Sequence, residues 1–447
     1  MRLGSGRDEY LATNPTVPPR RTPFIDIVEK GVRLGRKMGA VAPARLDAEH
    51  LKAQAIEQAG GLDDFGDPWF EKPLAKLLEA IEGEAKLNAA GDFSAMLQFR
   101  QVLFHRLLSE YWYKRHPEIL ERPMRSPVVI VGPMRSGTTR LHRLLASDHR
   151  FSHMRSFETI SPVPRRDFED VLEGRAEDFR PVLARRIMRV ARLANPRTLS
   201  IHPTGPMEPE EELGLLVASM YGMKHEAQWQ VPSYGRWCES VDATPAYAYL
   251  ADQLRLIGWS QQVSSIRPWI LKTPQHMLDL PALLNVFPDA RLIFTHRDPR
   301  QVTGSAASLA WNQTIIYSDD VAPDAIGREW LRKTHLQVER MMEARKSIPA
   351  ERMIDVQYDE MDRDWRGTMD RIYRFLDLEI EPALPAMEDY VERAKALKRR
   401  PHRYSLEMFG LTPDEVLERM RSYIEAFDVP MENAFGAGND RRAARVR

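Results

Sequence analysis

A single cysteine, Cys238, stands in a chain of 447 residues. One thiol makes no intrachain disulfide and no cysteine-based metal site, and its isolation fits a reducing compartment. Excess charge is missing too: 64 Lys and Arg balance 64 Asp and Glu. Bulk charge therefore points to neither nucleic acid nor an anionic membrane, and any basic site has to be local. The first thirty residues carry no apolar core of a secretion signal. No apolar run reaches the roughly 18 residues that cross a bilayer. These absences give the expectation of a cytoplasmic protein without a transmembrane segment and without a nucleic-acid partner.

What is present reads as a large globular chain, 43% hydrophobic. Residues 1–22, with "TVPPRRTP", read as a flexible polar arm, and residues 431–447 as a polar tail. Residues 23–122 carry helical periodicity. Leu74, Leu77, Leu78 and Ile81 share one predicted face, and Leu97, Val102, Leu103 and Leu107 another. Prolines in "PEILERPMRSP" then break the pattern and place a boundary near Arg122. Over residues 123–430 apolar runs alternate with helical patterns. Predicted strands are "VVIV" (128–131), "WILK" (269–272), "RLIFTHR" (291–297) and "RMIDV" (352–356). Predicted helices between and after them cover 245–261, 324–346 and 365–376. Strand–helix alternation implies an α/β fold with a central parallel sheet, whose ligands sit beyond the carboxyl ends of the strands.

Each predicted strand runs into polar residues. After the first comes Gly132 to Gly137, G-x-x-x-x-G, then Thr138 and Thr139. Such a loop turns backbone N–H groups around an oxyanion and adds the positive end of the next helix. Nucleotide triphosphatases place Lys where this chain has Thr138. Arg135 supplies a cation inside the loop instead. After the third strand comes Arg297, and Ser305 follows eight residues later on a helix opened by Pro299. An Arg at a strand end and a Ser two turns into the next helix can hold a second phosphate; alone, the pair reads equally as an ion pair with Asp298 and a packing serine.

The stretches "PMRSGTTRLHRLL", "LKTPQHMLDLPALLNVFPDARLIFTHRDPRQVTGSAASL" and "VQYDEMDRD…IYRFLDL" resemble the sulfotransferase family. They are most similar to the bacterial branch related to tyrosylprotein sulfotransferases. The resemblance covers about residues 127–423, and the helical stretch 46–123 looks like the leader of bacterial members. It implies a P-loop NTPase-like three-layer fold, with 3′-phosphoadenosine 5′-phosphosulfate as donor and 3′-phosphoadenosine 5′-phosphate as product. It implies donor binding by Arg135, Ser136, Gly137, Thr138 and Thr139, and 3′-phosphate binding by Arg297 and Ser305. Lys272, at the end of "ILK", matches the family's strand-end lysine.

Sulfuryl transfer asks for positioning, for cations at the leaving phosphate and for a base at the acceptor oxygen, and it requires no metal. Arg135 and Lys272 are the expected cations. Glu158, in "FSHMRSFETISPV", resembles the catalytic glutamate of that branch and is the first choice of base, brought to the sheet edge by a short strand before it. His276, His202 and the run Glu210 to Glu212 are the alternatives; the run also suits a helix start, and Lys398 to Arg400 suits a solvated basic loop. The expected acceptor is a hydroxyl or amine of a small molecule or lipid. The tract Trp229, Tyr234, Trp237, Tyr247, Tyr249 and Trp259 either packs the core or lines an apolar acceptor pocket. A second copy of the chain remains among the partners allowed. Rival readings are a P-loop nucleotide kinase or hydrolase, and a non-catalytic donor-binding protein of the same fold. "HRD" (His296 to Asp298) and "DFG" (Asp64 to Gly66) occur in the wrong order for a protein kinase.

Overall fold

The computed structural model describes residues 17–197, 204–396 and 402–432. Four parallel strands, β1 (Val128–Val131), β2 (Ile270–Lys272), β3 (Arg291–His296) and β4 (Met353–Gln357), form one sheet in the order β2-β1-β3-β4. All four apolar runs are strands; β1 has the predicted bounds, and the other three differ from theirs by a residue at one or both ends. Buried strands need no alternation of polar residues, because helices cover both faces. The side chains nevertheless alternate. Val129, Val131, Leu271, Leu292 and Phe294 face one core. Val128, Ile130, Ile270, Ile293 and Val356 face the other.

The first face is shared with the N-terminal helices. Leu51, Leu74, Leu77, Phe99, Leu103 and Leu107 join the same core as the strands. Leu74, Leu77, Leu78 and Ile81 are buried as their spacing predicts. On the helix Ala89–Arg115, Leu97 lies exposed and Val102 only part-buried; the buried stripe runs through Phe99, Leu103 and Leu107 instead. The second face is covered by Leu141, Leu144 and Leu145 of the helix Thr138–Ala146, by Met369 and Ile372 of Trp365–Phe375, and by Met387 and Val391 of Leu384–Ala396. The result is three layers. Predicted helices 245–261 and 324–346 appear as Thr244–Ser260 and Pro323–Arg345.

Order β2-β1-β3-β4 sends the chain to one side after β1 and to the other with β3. Between the carboxyl ends of β1 and β3 a crevice opens, the switch point where open α/β sheets bind ligands. Among the described residues no helix is long and apolar enough to cross a membrane. The aromatic tract is packing. Trp229, Tyr234, Tyr247 and Tyr249 are buried, and Trp237 and Trp259 pack at the rims of the clusters.

Candidate active site

The loop after β1 is held against β3 by its small residues. A Cβ at Gly132 would lie 2.0 Å from Thr295 Oγ1, so only glycine fits there. The Ser136 hydroxyl lies 2.6 Å from the Thr295 hydroxyl and donates to Pro133 O at 2.7 Å. Ser136 is buried and its side chain faces the sheet, which leaves backbone as its means of meeting a ligand. Arg135 (φ 70°) and Gly137 (φ 89°) are both left-handed, the alternation that curls successive N–H groups inward. Gly137 opens the helix Thr138–Ala146 without a side-chain cap; Arg140 N donates back to Gly137 O at 3.0 Å, and the N–H groups of Thr138 and Thr139 are left at the open end of the helix.

Arg297 stands across the crevice at the end of β3. Its Nη1 donates to Arg135 O at 2.7 Å, and its guanidinium lies 3.8 Å above the Tyr358 ring, which follows β4. Nε and Nη2 donate to the two oxygens of Glu432, at 2.6 and 3.1 Å. Burial works against the Arg297 charge, and the Glu432 carboxylate more than offsets it, so the guanidinium is held above its ordinary range. Asp298 is not its partner. That carboxylate caps the helix Pro299–Tyr317, accepts from Arg300 (N, 2.9 Å; Nη2, 2.7 Å), and accepts from Glu432 N at 2.9 Å. Ser305 sits on the same helix, 1% exposed, with the Tyr404 hydroxyl as its near polar neighbour and no well-formed hydrogen bond of its own. Tyr404 packs beside it but directs its own hydroxyl to Gln301 O. A buried hydroxyl left unsatisfied carries a desolvation penalty that a ligand oxygen would remove.

On the other side of β1, Lys272 ends β2 and is 3% exposed. Its Nζ donates to Glu211 Oε2 at 2.6 Å, and its backbone N to Glu212 Oε2 at 3.0 Å. The Glu210 to Glu212 run thus borders the strand ends, with Glu212 also the N-cap position of the short helix Leu213–Leu216. His276 is fully buried between Glu212 Oε1 (2.5 Å) and the Tyr247 hydroxyl (2.9 Å), so both ring nitrogens are committed to the scaffold. His142, one turn into the loop helix, was not singled out by the sequence. Burial first, then neighbouring Lys272, lowers its pKa, and its Nε2 has no partner.

Glu158 is placed differently from the expectation. Two isolated bridges, Ser152 to Trp269 and Arg155 to Pro209, stand where a short strand was predicted, and Glu158 lies in the helix Ser156–Ile160. Its carboxylate is fully buried and accepts from Arg155 N (2.7 Å), Arg155 Nη2 (2.7 Å) and Gln261 Nε2 (2.9 Å). A carboxylate inside its own capping box reads as local structure. His202 and Lys398 to Arg400 lie outside the described residues.

Residues 127–382 match the profile of the sulfotransferase family. Omega-hydroxy-beta-dihydromenaquinone-9 sulfotransferase Stf3 of Mycobacterium bovis is 26% identical over 306 residues, covering 66% of this chain and 74% of that one. Sulfotransferase STF1 of Mycobacterium tuberculosis superposes with a TM-score of 0.73 at 30% identity, over 85% of this chain and 99% of that structure. Sulfotransferase STF9 of Mycobacterium avium shares the fold, with a TM-score of 0.77 at 24% identity over 87% of this chain and 99% of that one. A profile match over more than half the sequence, on the strand, loop and helix that build the crevice, places this chain in the sulfotransferase family, whose reaction is sulfuryl transfer.

Proposed function

We propose that the chain transfers a sulfuryl group from 3′-phosphoadenosine 5′-phosphosulfate to a hydroxyl group, and that the acceptor is a lipid alcohol. The observation that carries the donor reading is the crevice between β1 and β3. The helix after the loop starts there without a side-chain cap, Arg297 at the end of β3 reaches the loop through Arg135 O, Ser305 lies on the helix that follows Arg297, and a carboxylate already sits on the arginine. Two anion seats on one sheet edge suit a ligand with phosphates at both ends of a nucleoside. In this reading the loop residues Arg135 to Thr139 hold the 5′ end, and Arg297 with Ser305 hold the 3′-phosphate. Arg135 and Lys272 neutralise charge on the leaving phosphate. The lipid acceptor rests on the Stf3 relative, whose name specifies an omega-hydroxylated dihydromenaquinone. A magnesium-dependent kinase is disfavoured by the donor set: Thr138 replaces the lysine, and Asp298 is fully buried on Arg300 and Glu432 N.

Two carboxylates compete for the base. Glu158 has the resemblance, but acts only if Arg155 and Gln261 release it. Glu211 is 24% exposed and touches Lys272. A phosphosulfate that recruits Lys272 would free Glu211 to take the acceptor's proton, and we place it first.

Calorimetric titration with 3′-phosphoadenosine 5′-phosphate, with ADP and magnesium-ATP as controls, tests the donor site. Binding should depend on the 3′-phosphate and not on magnesium. Arg297→Ala should weaken it about 10- to 150-fold, the value of a hydrogen bond to a charged group, while leaving ADP unaffected. Preference for magnesium-ATP would sink the reading. Glu432→Gln should tighten the same ligand about fivefold, since a partly exposed ion pair no longer competes. Unchanged affinity would mean that the carboxylate and the 3′-phosphate do not share Arg297.

A further inference from the structure

Two helices on the surface carry their apolar residues outward. On Arg180–Ala194, Val182, Val190 and Leu193 (61% exposed) recur at helical spacing, with Phe179 and Ile187 beside them, all exposed. Arg185, Arg189 and Arg192 line the flank of that stripe and Arg186 stands within it, all exposed. No carboxylate pairs with these four among the described residues, and residues 180–197 contain no acidic residue. On Pro23–Lys37 the pattern repeats: Ile27 (68% exposed), Leu34 and, just past the end, Met38 (72%) lie along one exposed line. Lys30 and Lys37 flank it. Its acidic residues are already paired, Asp26 with Arg21 and Glu29 with Arg33. The helices pack together where Thr22 Oγ1 donates to Ala194 O at 2.8 Å and Arg197 Nη1 to Arg20 O at 3.1 Å.

A soluble helix ordinarily turns such a stripe toward the core. Here the stripe faces solvent and the unpaired charge on the two helices themselves is all of one sign. An apolar line rimmed by arginine and lysine is the pattern of a helix lying in a lipid interface, with side chains among the acyl chains and cations at the headgroups. We propose that these two helices form a docking surface for an anionic lipid bilayer. The docking claim is independent of the donor assignment, and its test involves no nucleotide.

The full chain is sedimented with vesicles of phosphatidylcholine, either pure or containing roughly a third phosphatidylglycerol. The anionic vesicles should carry the protein down and the neutral ones far less, with binding lost as salt shortens the screening length. Arg185→Gln with Arg189→Gln and Arg192→Gln should lower partitioning about a hundredfold, roughly fivefold for each arginine. Ile27→Ser with Leu193→Ser should weaken binding to the same anionic vesicles, which electrostatics alone would not do. Unchanged melting temperatures would show that the exposed substitutions leave the fold intact, and the salt series on the unaltered protein needs no variant. Failure to bind anionic vesicles at low salt overturns the proposal. Equal binding to both vesicle types overturns it as well. Light scattering that shows a dimer dispersed by Leu193→Ser, without vesicle binding, would assign the face to a second copy instead.

Discussion

Lys272→Ala is expected to lower kcat by about 10²- to 10³-fold, the usual cost of removing one preorganised charge-stabilising group. The lysine sits at the end of a buried strand, where solvent screening is weak, and in this structure its ammonium is held by Glu211 at 2.6 Å. Affinity for 3′-phosphoadenosine 5′-phosphate should change much less, because the loop and Arg297 remain. An omega-hydroxylated prenyl quinone as probe acceptor, with labelled donor, gives the rate, and calorimetry gives the affinity. Lys272→Arg should recover part of the rate. A kcat within a few-fold of the unaltered protein would remove Lys272 from the reaction and leave it as a partner that merely anchors the 210–212 segment.

Glu211→Gln should cost more, about 10²- to 10⁴-fold in kcat, if Glu211 takes the acceptor's proton. The acid limb of the kcat/KM profile against pH should disappear with it, which a merely structural role would not produce. Glu158→Gln is the matched comparison. Its buried carboxylate accepts several N–H bonds, so the amide should lower Tm by a few degrees while kcat and the pH profile survive. If the acid limb vanishes in Glu158→Gln and persists in Glu211→Gln, the roles are exchanged: Arg155 and Gln261 would then release Glu158 during turnover.

The strands were legible because each is built on a short apolar run bounded by polar residues, as a sheet covered on both faces favours. The placement of Arg297 at a strand end and of Ser305 on the following helix was legible because β3 and its helix are consecutive in the chain; their role as a phosphate seat stays a proposal. Lys272 with Glu211 was not: the partners lie 61 residues apart and meet only because the chain returns past β2. Glu432 is 135 residues from Arg297, and no local pattern joins a polar tail to a strand end. Glu158 shows the converse. Its neighbours in sequence resembled a known site, but burial and the Arg155 and Gln261 bonds are properties of packing, which the sequence displays only as an ordinary Phe-Glu-Thr.

Because Glu432 belongs to the same chain as Arg297 and its backbone is held by Asp298, it competes for that guanidinium as a tethered, pre-positioned anion, at an effective concentration on the order of millimolar or more. Stray inorganic phosphate or sulfate must exceed that level to occupy the arginine. A ligand that also grips the loop at its other end gains a second foothold and displaces the carboxylate far more easily. On the donor reading proposed above, this makes the resting pocket selective by valency as well as by shape: single anions are turned away, and a molecule bearing two is admitted.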